Sequence, residues 1–397
     1  MTAGRSSLGL IFTTVTIDLI GFGIVIPVLP LYAEHFGASP TVVGLLMAVY
    51  SVMQFVFAPI LGRLSDRVGR RPVLLVSIVG TSLGFLLMGL AHTLWLLFIA
   101  RMIDGITGGN ISTAQAYIAD VTLPEERSRG MGWIGAAFGV GFVFGPAIGG
   151  VMSHFSLAAP FLCAAGLAAA NAVALYFLLP ESLPAEHRHP TRRASIIQVF
   201  EEAGNWQLTT VTVTYFVATV AFAILTATFA LFTHLSVHFS YDATRNGYLF
   251  AYLGALGAMI QGGLLGRFVR TVGDKALAVA GTAVMAASLF VLPMSTTLGK
   301  LLVVITGIAI GNSLVTPTLN GIASRSVNAA WQGRVFGVMQ SGASLARIIG
   351  PAVGGWLLDR DVHDHTTLFG KTPYWTGAVI MLVASCLALT IQTRRHE

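Results

Sequence analysis

Residues 62–72 read GRLSDRVGRRP, and 204 positions further on residues 266–275 read GRFVRTVGDK. Each is a short, basic, glycine-bounded stretch between two long apolar runs, 42–62 and 73–91 for the first copy, 244–266 and 276–294 for the second. A helix needs roughly 20 mostly apolar residues to cross a bilayer, so each copy marks a tight turn between two crossings. Carried outward, the same rule gives twelve runs: 8–32, 42–62, 73–91, 94–119, 129–152, 156–179, 207–236, 244–266, 276–294, 298–323, 333–358 and 374–391. The longest polar break, 180–206, contains Glu181, Glu186, His187, Arg188, His189, Arg192, Arg193, Glu201 and Glu202 and divides the runs six and six. The expectation is an all-α membrane protein of 12 transmembrane helices, with one half over 1–180, a cytoplasmic linker over 181–206 and a second half over 207–397.

Composition agrees. Of 397 residues 55% are apolar and 10% charged, against roughly 25% charged in a soluble domain. The mean hydropathy is +0.77, and the 44 glycines suit helices whose backbones approach closely in lipid. Collagen-like, disordered and disulfide-framework classes are excluded. Cys163 and Cys386 both lie in apolar runs. The first run carries Asp18 and two prolines and is too long for a cleavable signal.

The net charge of +6 and pI near 9.6 are a topology signal rather than a nucleic-acid footprint. With the N-terminus in the cytoplasm, only Arg245, Lys300, Arg360 and Lys371 of the 23 Lys and Arg fall on the far side, while Arg101 and Arg347 lie inside spans. The positive-inside rule therefore places both termini in the cytoplasm.

The halves repeat. GAAFGVGFVFGPAIGG (135–150) matches QSGASLARIIGPAVGG (340–355) at an offset of 205, and Arg129 falls on Arg334. Internal symmetry of this kind marks secondary transporters, whose substrate site is expected between the repeats near the bilayer midplane.

GRLSDRVGRRP resembles the signature loop of the major facilitator superfamily. Arg101 with Gly105 and Gly109 in the fourth span, and the glycine-rich run ending Gly145-Pro146 and Gly149-Gly150 in the fifth, resemble its 12-span drug:proton antiporter branch. Asp18-Leu-Ile-Gly21 through Pro27-Val-Leu-Pro30, with Ile118-Ala-Asp120, is similar to bacterial tetracycline:proton antiporters, and this likeness covers nearly the whole chain. Two positions depart from it: Gly84 stands where those antiporters carry an acid in the third span, and the region around Leu253 lacks their eighth-span histidine.

The resemblance implies a cytoplasmic gate built from Gly62, Asp66, Arg67, Gly69, Arg70, Arg71, Asp120 and Arg334. Gly62 would let the second span touch the eleventh, Asp66 would face the N-terminus of the eleventh span, and Arg70 would reach Asp120. A carboxylate at a helix N-terminus is electrostatically favourable, and Arg334 would add to the attraction. In the second copy the position of Asp66 is Arg270, so the gate is expected mainly from the first. The plainer reading of the same arginines is topology anchoring.

Inside the spans lie Asp18, Arg101, Asp104 and Arg347. Ionisable groups are costly in the bilayer and mark functional sites or structural ion pairs. Asp18 has no charged neighbour in its own span and is the first choice for proton carrier; Arg101, Asp104 and Arg347 complete the proton-coupling set. At about 100° per residue, Arg101, Asp104, Gly105, Gly108, Ser112 and Gln115 fall on one stripe, with Asn110 on the opposite side. In the seventh span Thr212, Tyr215, Thr219, Phe222, Thr226, Phe229 and Thr233 share a side, although such threonines also bond their own backbone. Thr306, Ser313 and Asn320 recur every seven residues in the tenth. Under the superfamily's architecture the first, fourth, seventh and tenth spans line the cavity, so the substrate residues are taken as Phe22, Gln115, Tyr215, Thr219, Phe222, Thr226, Ser313, Asn320 and Gln340. Arg347 would hold an acid such as Asp18 or attract an anionic substrate group. Gly135, Gly139, Gly145, Pro146, Gly149 and Gly150 are expected to permit close helix packing and a bend.

Neither a zinc site nor a nucleotide-binding loop is present: His234 and His238 are only two ligands, and no GxxxxGK[ST] occurs. No cofactor or metal is expected, and no enzymatic activity. The function implied is export of a hydrophobic or amphipathic drug-like compound in exchange for protons by alternating access, from the inner membrane, by a chain working as a monomer in the lipid bilayer. The alternatives are proton-coupled or facilitative transport of a metabolite such as a sugar, which Asn312, Asn320, Gln115 and Gln261 would suit, and a non-transporting receptor or assembly factor.

Overall fold

The computed structural model describes residues 2–122, 127–183, 186, 206–327, 329–363 and 368–391. Most of the expected linker, 181–206, lies outside the described residues. Among those described every regular element is helical. The first three spans are α1 (Thr2–His35), α2 (Pro40–Val68) and α3 (Arg70–Gly89). The fourth span is two helices, α4 (Leu94–Thr107) and α5 (Asn110–Val121); the fifth and sixth are α6 (Arg127–Ser153) and α7 (Ala159–Leu178). The seventh is α8 (Trp206–Leu235). The eighth is α9 (Ala243–Met259) continued by a π-helical turn, Ile260–Leu264, into α10 (Leu265–Val272). The last four are α11 (Asp274–Val291), α12 (Leu298–Arg325), α13 (Ala329–His363) and α14 (Lys371–Thr390).

Eleven of these spans are long and apolar enough to cross a membrane. The remaining one, α13, is 35 residues long, but Gln340, Ser341, Ser344 and Arg347 dilute its apolar run. Helix starts follow local chemistry: Thr93 caps α4 by accepting from the Leu96 N–H, Thr297 caps α12 by accepting from the Lys300 N–H, and Pro40 opens α2, where a missing N–H costs nothing.

The chain divides into two units. The first comprises Met1–Ala38, Val49–Arg192 and Tyr241–Tyr252; within it α1 packs along α6, and α3 against α4 and α7. The second comprises Ser39–Ala48, Arg193–Ser240 and Leu253–Glu397; within it α8 packs along α13, and α11 against α12 and α14. The helix pairs of one unit are the repeat-related pairs of the other.

The packing repeats at single residues. A Cβ on Gly145 of α6 would stand 2.7 Å from the Gly23 Cα and the Ile20 carbonyl of α1; a Cβ on Gly350, its copy in α13, would stand 2.5 Å from the Ala223 Cβ and 2.9 Å from the Val220 carbonyl of α8. Gly149 and Gly354 are matched in the same way, against Ile24 and Ile224. Gly141, one turn before Gly145, has its Cβ position 2.6 Å from the Leu19 Cβ. The contact therefore runs along a three-glycine ladder at four-residue spacing, 141–145–149. Gly135 and Gly139 were expected to share it and do not: nothing lies within 4 Å of a Cβ at either, because the ladder that faces α1 runs through Gly141 and they fall on another side of the helix. Gly150 packs instead on Gly247, its Cβ position 3.0 Å from the Gly247 Cα.

Within the second unit the first turns of α2 meet the end of α13. Ser39 Oγ donates to Asp359 Oδ2 at 3.1 Å and Thr41 Oγ1 donates to the same oxygen at 2.6 Å. Below them a Cβ on Gly355 would stand 3.0 Å from the Gly44 Cα. The Asp359 carboxylate also complements the positive end of the α2 dipole.

Candidate functional site

The two copies of the glycine-bounded loop fold alike. Gly69 between α2 and α3 has φ 115°, and Gly273 between α10 and α11 has φ 86°. A side chain is strained there, which explains glycine at both. In the first copy Arg70 is buried and serves as a hub. Its Nη1 lies 2.5 Å from Asp66 Oδ1 and 2.7 Å from Ser65 Oγ, and its Nε lies 3.0 Å from Asp120 Oδ2. Ser65 Oγ in turn donates to the Gly62 carbonyl at 2.8 Å. Glu181 accepts from the Arg70 N–H at 2.8 Å and from the Arg71 N–H at 3.2 Å, capping α3 with a carboxylate from the far side of α7. Sequence reasoning assigned Glu181 only to the linker. Arg71 bonds the Tyr176 carbonyl, and Arg67 is exposed. In the second unit Arg334 is exposed and lies 4.3 Å over the Trp331 ring.

The second copy carries its own ion pair, between Asp274 at the start of α11 and Arg325 at the end of α12. These positions repeat Arg70 and Asp120 at offsets of 204 and 205, with the charges exchanged.

The ionisable groups inside the first unit gather around the break in the fourth span. Arg101 Nη1 lies 3.0 Å from Asp104 Oδ2, with side chains 3% and 6% exposed. The Arg101 guanidinium also sits 4.2 Å over the Tyr50 ring of α2, a cation–π contact. Gly84, where an acid was missing by comparison, lies directly against this pair: its Cβ would stand 2.9 Å from the Asp104 Cβ. The Asp104 Cβ and the Ala100 carbonyl of α4 thus occupy the space that a side chain at that position would need.

The continuous polar stripe expected along the fourth span is not present. α4 ends at Thr107 and α5 begins at Asn110, with Gly108 and Gly109 outside helix. The freed Gly108 carbonyl accepts from Gln54 Nε2 at 2.9 Å, and Gln54 also reaches the Tyr50 hydroxyl at 3.1 Å. The break changes the phase: Arg101, Asp104 and Gly105 are buried, whereas Ser112 and Gln115 are exposed. Asn110, expected on the opposite face, is buried and donates from Nδ2 to Asp18 Oδ1 at 2.6 Å. Asp18 is half-buried and close enough to Asp104 for the two carboxylates to interact electrostatically. Phe22, one turn along α1 from Asp18, has its ring centroid 6.2 Å from those of Tyr50 and Phe142.

In the second unit Arg347 is half-buried, donates from Nη2 to Ser344 Oγ at 3.1 Å and lies within electrostatic reach of Tyr215. Tyr215, Thr219, Phe222, Thr226 and Asn320 are half-buried, Gln340 is exposed and Ser313 is buried. The Thr219 hydroxyl donates to the Tyr215 carbonyl at 2.7 Å and that of Thr226 to the Ala223 carbonyl at 3.2 Å. With their hydroxyls spent on backbone, these threonines present methyl groups, so this stretch of α8 is chemically apolar around one tyrosine and one arginine.

Repeated sets of lipid-crossing helices with ionisable side chains held inside them define a multi-pass membrane transporter. The chain belongs to the Major Facilitator Superfamily, whose family profile matches residues 11–351. It is 33% identical over 384 residues to the tetracycline resistance protein, class D, of Salmonella ordonez, covering 94% of each chain. Multidrug resistance protein 2 of Bacillus subtilis (strain 168) is 26% identical over 394 residues, covering 98% of this chain and 96% of that one. Among solved structures, a bacterial homolog to the human lysosomal transporter Spinster, inward-facing and unoccupied, superposes with a TM-score of 0.80 at 15% identity, over 98% of this chain and 97% of the other.

Proposed function

We propose that this transporter exports a hydrophobic or amphipathic drug-like compound in exchange for protons, by alternating access of the repeated halves, 1–180 and 207–397, in the inner membrane, with both termini cytoplasmic and the monomer as working unit. The observation that carries the reading is Asp18: a half-buried carboxylate inside a span, held by Asn110 and neighboured by the Asp104–Arg101 pair. A group so placed is partly exposed and lies beside other charges that its own charge affects. The relatives' names, tetracycline resistance and multidrug resistance, support a drug-like substrate. So do the aromatic and methyl surfaces of Phe22, Tyr50, Phe142, Phe222, Thr219 and Thr226. We assign these groups to the substrate and the loop around Arg70 to the cytoplasmic gate. Coupling requires that proton and substrate each bind the two access states unequally.

The test is uptake into everted vesicles driven by a pH gradient, with tetracycline and ethidium as probes. Asp18→Asn keeps size and hydrogen bonding but cannot titrate, so it is expected to reach the membrane in normal amounts and to lose gradient-driven uptake. Full gradient-driven uptake by this variant overturns the proton-carrier assignment.

A further inference from the structure

Asn110 is the first residue of α5, immediately after the two glycines that interrupt the fourth span. The residue is 1% exposed. One end of the amide is committed: Nδ2 donates to Asp18 Oδ1 at 2.6 Å. The other end is not, for Asn110 Oδ1 is buried and has no hydrogen-bond partner. A buried acceptor left open costs free energy, and a primary amide is both donor and acceptor.

We propose that Asn110 is a positioning residue that holds Asp18 in both of its protonation states. Toward the carboxylate it presents the Nδ2 donor. When a proton from water binds an Asp18 oxygen, forming one O–H bond and cancelling one negative charge, the amide turns about its Cβ–Cγ bond, and Oδ1 accepts from the new hydroxyl. Release reverses both steps, and no redox partner is involved. The inference rests on the reading of Asp18 as the proton carrier and adds to it the group that keeps either form hydrogen-bonded inside the membrane.

The electrostatic surround of Asp18 is simple. Asp104 of α4 acts on it and is itself paired with Arg101. On α5 the carboxylate, Asp120, is at the far end and bound to Arg70. Of the other helices packed on α1, α6 carries no ionisable residue over 132–153 and α7 carries no carboxylate, amine or imidazole. The Asn110 amide is therefore the neutral group that distinguishes the two forms of Asp18 by direct contact.

The experiment uses the full chain with three variants: Asn110→Leu, which keeps volume without polarity, Asn110→Ala, which folds more readily, and Asn110→Gln, which restores an amide. Gradient-driven tetracycline uptake is measured across external pH, and the carboxylic-acid carbonyl stretch of purified protein is followed by infrared difference spectroscopy, with Asp18→Asn identifying the band. Without the amide both forms of Asp18 lose a hydrogen bond, and the carboxylate's charge-assisted bond is the stronger of the two, so protons are held to higher pH. In both Leu and Ala variants the half-points of uptake and of the Asp18 band are expected to move to higher pH by about one unit, tenfold in proton concentration, the margin by which a charge-assisted hydrogen bond exceeds a neutral one. Asn110→Gln is expected to recover most of the shift. A well-folded Leu or Ala variant with the parent half-points, alongside an inactive Asp18→Asn, overturns the role of Asn110 and leaves the proton carrier standing. Active Asp18→Asn overturns the carrier itself.

Discussion

Asp274 pairs with Arg325 at the positions that, half a chain earlier, are Arg70 and Asp120, so the two halves keep one ion pair with its charges exchanged. The exchange explains why the second loop copy looks degenerate by residue type and yet folds like the first. Asp274→Arg or Arg325→Asp alone places like charges together and is expected to lower the melting temperature of the purified protein, while the double exchange recovers it. The pair is partly exposed, so the loss is about 1 kcal/mol or less. Arg70→Ala strands two carboxylates that share one buried guanidinium and is expected to cost more, about 3–5 kcal/mol. Equal losses from the two sites would refute this ranking.

Asp66 holds one side of the Arg70 hub. If the hub closes the cytoplasmic side, Asp66→Asn weakens the closed gate and increases the time spent open to the cytoplasm. Cysteines placed in the cytoplasmic halves of the spans are expected to label several-fold faster from that side. Labelling rates equal to those of the parent would leave the loop as a charge anchor for topology.

Arg347 lies midway along α13, half-buried beside Ser344 and Tyr215. Arg347→Ala distinguishes two uses of its charge. If the guanidinium serves the protein's own proton-coupling groups, uptake of every probe falls and its pH profile moves. If it reads substrate, anionic and zwitterionic compounds fail while cationic ethidium is spared. The first outcome is expected, because a proton carrier benefits from a nearby cation that favours its charged form. Normal transport of all probes would remove Arg347 from the mechanism.

The α1–α6 contact depends on glycine at particular rungs. Gly145→Ala drives a methyl group into the Gly23 backbone, and overpacking of this kind costs about 1–3 kcal/mol. Gly139→Ala meets open space and is expected to leave stability and expression unchanged. Folded yield after solubilisation and thermal melting would show the difference; a tolerated Gly145→Ala contradicts the packing described.

Much of the fold was legible because lipid leaves a chain few choices. Long apolar runs had to be helices, and the positions of Gly69 and Gly273 repeat as plainly in the sequence as in the backbone. The site was less legible. Gly108-Gly109 is equally compatible with close helix packing and with a break, and periodicity carried through an unrecognised break put Asn110 on the wrong face. Glu181 lies in a polar stretch whose charges announce a loop, and nothing local says that its carboxylate reaches back to α3. The ladder Gly141–Gly145–Gly149 did have a signal, the four-residue spacing; the repeat with 340–355 keeps Gly145 and Gly149 as Gly350 and Gly354, but Gly141 falls on Ala346 and so did not stand out.

Ser39 and Thr41 lie 320 and 318 residues ahead of Asp359, the carboxylate they share. A ribosome therefore delivers the beginning of α2 long before the part of α13 that receives it, and Ser39–Ala48 waits, inserted but without its neighbours, while nine further spans are made. The converse segment, Tyr241–Tyr252, emerges when the unit it joins is already synthesised. Assembly is thus unequal in time although the finished packing is symmetric. The vulnerable period for quality control falls on the early helix, whose two hydroxyls and Gly44 have nothing to hold until translation is nearly over.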